Sequence, residues 1–172
     1  MNNPQGSLTE LEGAILSEIH HRGASTAFKV RKAFQISMSL EWRGSSGAVY
    51  PAIRRLTARG LVDAAETGSG RKTSLLSLTP EGVQALEDWI CDAARAASVG
   101  LDPFRLRVGM WPRLSPERRA EALLALRQAV ELEIATMRQY MLTLDPVEKP
   151  RMELAVSLHL SRLEWLDQQA VR

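Results

Sequence analysis

The sequence predicts a mainly α fold: a winged helix-turn-helix domain of three helices plus a two-stranded β wing, followed by a C-terminal helical dimerisation domain. Three observations predict it. Apolar residues recur at helical spacing through most of the 172 positions. The period changes to short strand-like runs only between Leu61 and Leu78, around a glycine-rich turn, and a strong helix start follows. Two long segments rich in apolar residues then close the chain. Residues 1–98 are expected to form the winged helix and residues 99–172 the helical domain.

Composition limits the functional classes. With 45% apolar and 24% charged positions the chain is of ordinary soluble type. One cysteine and three histidines give neither a disulfide framework nor the ligand spacing of a structural zinc site, so no metal or other cofactor is expected. No apolar run approaches the ~18 to 20 residues of a membrane span, and MNNPQGS lacks the regions of a signal peptide, so a cytoplasmic location away from membranes is expected. The net charge of +2 conceals an asymmetry. Residues 22–72 hold ten Lys/Arg against three Asp/Glu, whereas the remainder holds twelve against seventeen. Surface charge serves solubility anyway, but one basic block in a mildly acidic chain favours a polyanionic partner.

The first helix is read in LTELEGAILSEIHH, where Leu8, Leu11, Ile15 and Ile19 share a face and Thr9 with Glu12 offers a capping box. Gly23 ends it. Ser25 or Thr26 caps a short second helix, TAFKVRKAF, with Ala27, Val30 and Phe34 inward and Lys29 and Lys32 outward. A polar loop then leads past Trp42 to a third helix from about Ser46 to Arg59, stopped by Gly60. LVDAAE and TSLLSL form the hairpin, with Arg71 and Lys72 on its turn. Thr79-Pro80-Glu81 starts the fourth helix, whose buried face is Val83, Leu86, Trp89 and Ile90.

The third helix commits Val49, Ile53 and Leu56 to the core, which leaves Ser46, Gly47, Tyr50, Pro51, Arg54 and Arg55 on the other face. Small residues at a helix N-terminus permit close approach of a phosphate backbone, and guanidinium groups beyond them can grip a guanine edge or a phosphate. Pro51 stands inside this helix if Ser45 or Ser46 caps it, where its ring meets the carbonyl of Gly47 and an interior proline costs about 3 kcal/mol. A kink compensated by Gly47 is one account; a start near Ala48, with Pro51 in the first turn, is the other. Any one cation is more often a solvated charge than a contact. Lys29/Lys32, Arg54/Arg55, Arg59 and Arg71/Lys72 within one unit are harder to dismiss.

Beyond residue 100, GLDPFRLRVGMWPRLSP marks a segment boundary with one short helix, and a long helix begins at Pro116 behind Ser115 and reaches about Thr143. Leu123, Val130, Met137 and Leu144 repeat there every seven residues. A last helix, roughly 147–170, carries Leu154, Leu158 and Trp165 on one face, with Met152, His159, Leu163 and Leu166 nearby. These helices are too apolar to satisfy one another, so a dimer interface is expected to contain Leu123, Val130, Met137, Leu154 and Leu158; the plainer reading is an intramolecular core. Trp89, Trp111, His159 and Trp165 are candidates for an apolar effector cavity between the two domains, although ordinary core contacts are the commoner use of such residues.

The chain resembles the PadR family of bacterial transcriptional regulators over nearly its whole length. The matching segments are LTELEGAIL at 8–16, WRGSSGAVYPAIRRLTARGLV at 42–62, GRKTSLLSLTPEG at 70–82 and LEDWI at 86–90. FRLRVGMWPRLSPE at 104–117 and LSRLEWLDQQ at 160–169 are similar to the subfamily with a substantial helical C-terminal domain. The resemblance implies a homodimeric winged-helix repressor of double-stranded DNA with an inverted-repeat operator, often released by a small aromatic or amphiphilic effector. It places the DNA contacts at Ser46, Gly47, Tyr50, Arg54, Arg55, Arg71 and Lys72. Two positions depart from the family pattern: Thr26-Ala27-Phe28, where an aromatic pair is usual, and Leu76, where a tyrosine is usual.

Other classes fare less well. A winged-helix module with an acidic protein partner would use the same basic face and is the alternative. An enzyme is not expected, because His20, His21 and His159 have no predictable nucleophile beside them, Cys91 has no adjacent base, and Gly68-Ser69-Gly70 is too short for a phosphate loop.

Overall fold

The computed structural model describes residues 6–66 and 74–170. They divide into two compact units at Trp89/Ile90, nine residues before the boundary expected at 98/99. Among the described residues no helix is long and apolar enough to cross a membrane.

In the N-terminal unit, α1 (Glu10–Arg22) begins at the expected capping box: the Glu12 N–H donates to the Thr9 hydroxyl at 3.2 Å, and the Thr9 N–H donates to the Glu12 carboxylate at 3.1 Å. Its buried face is Ile15, Leu16 and Ile19. Helix α2 (Ala27–Gln35) is capped by Thr26 and buries Val30 and Phe34. Where a polar loop was expected there is a further helix, α3 (Leu40–Ser45), capped by Ser39. It seats the Trp42 indole edge-on against Phe34, with ring centroids 5.5 Å apart. Six residues with one buried side chain carry no readable period, which is why the sequence concealed it.

Helix α4 (Val49–Ala58) stops at Gly60, where φ is +70°. The Gly60 N–H bonds the Thr57 carbonyl and the Leu61 N–H bonds that of Leu56, each at 3.0 Å, so two terminal carbonyls are satisfied. Strands β2 (Val62–Glu66) and β3 (Ser74–Leu78) pair antiparallel with Val62 opposite Leu78. A two-residue strand, β1 (Ser25–Thr26), pairs with β3 at Leu75 and Leu76, so the expected two-stranded wing is a three-stranded sheet of order β1-β3-β2. Two residues are too few to show alternation.

Thr79 then caps α5 (Pro80–Ile90), accepting from the Gly82 N–H at 3.0 Å while its hydroxyl donates to the Gly60 carbonyl at 2.7 Å. Two glycines let α5 lie close to its neighbours. A Cβ on Gly82 would stand 2.0 Å from the Leu61 carbonyl oxygen, and one on Gly13 would stand 2.2 Å from the Trp89 ring.

The C-terminal unit contains α6 (Ala93–Ala96), α7 (Leu101–Gly109), a 3₁₀ turn at Trp111–Arg113, α8 (Pro116–Tyr140) and α9 (Glu148–Ala170). Helices α8 and α9 form an antiparallel hairpin spanned by an Arg127–Asp167 ion pair at 3.0 Å. Its core is Leu126, Val130, Ile134 and Met137 against Val156, His159, Arg162 and Leu166. This corrects the face read for the last helix: the buried side runs through Val156 and Arg162, and Leu154 is 73% exposed.

Two of the polar core residues satisfy the carbonyls that follow α6. His159 Nε2 lies 2.7 Å from the Ala97 oxygen, Arg162 Nη1 donates to the Ser98 oxygen at 3.0 Å, and Nη2 donates to that of Gly100. Burial lowers the Arg162 pKa, and its guanidinium lies over the Phe104 ring, 4.9 Å from the centroid.

Candidate nucleic-acid interface

The proline of the third long helix is placed by the backbone before it. Residues Ser46–Ala48 form a 3₁₀ turn, Ala48 is the N-cap, and α4 begins at Val49. Pro51 is therefore the third helical residue. N–H groups of the first turn have no acceptor within the helix, so a residue without one loses no intrahelical bond there. The later start is the correct account, and the kink at Ser46 is not formed.

This start fixes which side chains face out. Val49, Ala52, Ile53 and Leu56 enter the core, while Tyr50, Arg54 and Arg55 are exposed, Pro51 is half-buried, and Ser46 (half-buried) and Gly47 (exposed) lie on the turn leading in. Gly47 has no positive φ, and nothing lies within 4 Å of where its Cβ would be. The fold makes no demand for glycine at this point. Arg54, Lys29 and Lys32 are exposed cations, and none forms an ion pair among the described residues.

Arg55 is differently placed. Its Nε donates to Oε1 of Glu12 at 3.0 Å, and Arg59 Nη1 approaches Oε2 of the same carboxylate at 3.3 Å. Arg59 Nη2 further donates to the Gly6 carbonyl at 2.6 Å. The Glu12 side chain is 5% exposed, against 54% for Arg55 and 25% for Arg59. Burial alone would raise the Glu12 pKa, but hydrogen bonds from Thr9 and Arg55 outweigh it and the pKa is lowered. The sequence reading took Glu12 as a local capping residue; its position on the inner side of α1, 43 residues from Arg55, was not visible in any spacing.

A second omission is Arg31, on α2. Its guanidinium carbon lies 5.8 Å from the centre of the Tyr50 ring, within cation–π range. Contact across two helices leaves no sequence signal. Arg71 and Lys72, expected on the wing turn, fall outside the described residues.

The four effector candidates are divided between the two units. Trp89 packs on Gly13 within the N-terminal unit. In the C-terminal unit Trp111 and Trp165 lie with centroids 6.1 Å apart and planes tilted by 40°, and Phe104 meets Trp165 edge-on at 5.8 Å. His159 is fully buried with both ring nitrogens on carbonyl oxygens, so it is part of the packed core. Open space beside these rings is found at Trp111, in a groove of about 380 Å³ whose lining includes Leu114, Arg119, Leu123 and Gln169.

Residues 15–88, from within α1 to the last turns of α5, match the model of the transcriptional regulator PadR-like family. The matched segment is 74 of the 172 residues. Over that segment, which folds as a winged helix, the chain is similar to transcriptional regulators. No curated protein matches this chain. Solved structures similar to it include Bacillus subtilis PadR in complex with operator DNA, at 18% identity and TM-score 0.46, covering 93% of this chain and 97% of that one. The same protein in complex with p-coumaric acid gives 17% identity and TM-score 0.43, covering 98% and 96%. Bordetella bronchiseptica BpsR, whose DNA binding is regulated by 6-hydroxynicotinic acid, gives 23% and 0.43, covering 73% and 82%.

Proposed function

We propose that this protein is a PadR-like transcriptional regulator, a homodimeric repressor that binds an inverted-repeat operator with α4 of each protomer. The observation that carries this reading is the outer face of α4: Gly47, which the fold does not require, followed by Tyr50, Arg54 and Arg55. Lys29 and Lys32 on α2, Ser46 on the turn into α4, Pro51 in its first turn, and Arg71 and Lys72, which lie outside the described residues, complete the proposed contact set. Two α4 helices about 34 Å apart would enter successive major grooves on one side of the duplex.

Gel shifts on the DNA upstream of the gene test this. Binding should weaken steeply with salt, because each phosphate neutralised releases counterions. Arg54→Ala should bind at least tenfold more weakly; salt-insensitive binding, or normal binding by Arg54→Ala, would remove α4 as the reading helix. Release by a small aromatic ligand belongs to the same reading, and the groove beside Trp111 supports it. The corresponding measurement is quenching of tryptophan fluorescence by a panel of aromatic acids, with release from DNA at the same concentrations. No response across the panel would remove the effector from the proposal.

A further inference from the structure

We infer that Glu12 is a positioning residue for DNA recognition: it presents the outer edge of Arg55 to the duplex and withholds Arg59 from it. The inference rests on the proposed role of α4.

The two arginines share one carboxylate but are held differently. Glu12 takes only the Nε of Arg55, so the two Nη groups stay in the half-exposed part of the side chain, where their four remaining N–H donors can meet a base edge or a phosphate. A guanidinium braced at Nε has its plane fixed before DNA arrives, and the ordering entropy of a long side chain is then already spent. Arg59 is held at two nitrogens, Nη1 on Glu12 and Nη2 on the Gly6 carbonyl, and its Nε is buried. One buried carboxylate thus divides two neighbouring cations of α4 and its C-cap into one that is offered and one that is not. A face of unbraced cations would bind any duplex by charge; a braced Arg55 with Arg59 withdrawn reduces that sequence-independent attraction.

The test uses the full-length protein and two probes: a duplex selected by the wild-type protein from a random pool, and the unselected pool itself. Glu12→Gln keeps shape and loses charge. It should bind the selected duplex about tenfold more weakly and the pool more tightly. The slope of log affinity against log salt on the pool should steepen by about 0.9, the contribution of one further phosphate contact. Adding Arg59→Ala to Glu12→Gln should restore the wild-type slope, an outcome that loss of stability alone does not produce.

Arg55→Lys supplies a second measurement in which Glu12 itself is unchanged. An ammonium group keeps the charge but cannot face Glu12 and DNA together, so discrimination should fall about tenfold with the slope retained. Unchanged discrimination and slope in Glu12→Gln, or full discrimination in Arg55→Lys, overturns the inference. Arg54→Ala run beside them separates the two failures: if it also binds normally, the reading of α4 itself is wrong.

Discussion

A carboxylate with two arginines has a stability signature as well as a functional one. The Glu12 pKa is lowered in the folded chain, with burial opposing and the Thr9 and Arg55 hydrogen bonds prevailing. A group of this kind contributes stability in full above its unfolded value, and the contribution disappears as pH falls through the folded value. Melting temperature should therefore drop on the acid side, between about pH 5 and pH 2, and Glu12→Gln should flatten that limb while lowering stability near neutrality. If wild type and variant show parallel pH profiles, the carboxylate is not ionised in the way its partners indicate. Two glycines give a sharper contrast at the same scale. Gly13→Ala forces a Cβ to within 2.2 Å of the Trp89 ring and should cost about 1–3 kcal/mol in denaturant unfolding. Gly47→Ala meets only open space, so it should leave the unfolding midpoint unchanged and weaken binding to the selected duplex. A Gly47→Ala protein that binds at full strength would mean no duplex backbone approaches the start of α4.

At the scale of elements, α4 is defined by its two ends. Because Pro51 lies in the first turn, Pro51→Ala should change stability by no more than about 1 kcal/mol; relief of an interior proline would instead stabilise by about 3 kcal/mol. At the other end Gly60→Ala places a side chain at φ +70° and should destabilise by about 1–2 kcal/mol. Elements with strong local chemistry were legible in the sequence. The Thr9/Glu12 box, the Thr79-Pro80 start, the Gly60 stop and the apolar periods of α1, α4 and α8 each act within a few residues. What escaped depended on partners distant in the chain. β1 exists because β3 lies beside it, α3 because Phe34 offers Trp42 a surface, and the pairing of Glu12 with Arg55 because α1 and α4 pack together. The outward residues of α4 were found by elimination once its core face was known. Arg31, in contrast, needed the position of a second helix.

At the scale of the whole molecule, the seven-residue repeat of α8 was expected to supply a dimer interface, and the structure uses most of it within one chain. Val130 is 0% exposed and Met137 is also buried, because α9 of the same chain covers them; Leu123 and Leu158 are half-buried. Val130 has no accessible surface and Met137 has 5%, so the proposed interface is placed on the leucines beside them. The apolar surface that remains on the hairpin includes Leu124, Leu132 and Leu154, at 56%, 67% and 73% exposure. Large exposed leucines on two packed helices favour association with a second copy, which the operator symmetry proposed above also requires. Leu132→Glu with Leu154→Glu should accordingly give a folded monomer by light scattering, with helical circular dichroism retained. Its DNA affinity should fall by at least about a hundredfold, because two half-site contacts no longer act as one linked event. Val130→Ala should do the opposite: it lowers the unfolding free energy by about 1–3 kcal/mol and leaves the particle mass as in wild type. A double glutamate variant that remains dimeric would mean the protomers join through another surface. A Val130→Ala variant that dissociates while still fully folded would return the heptad stripe to the interface.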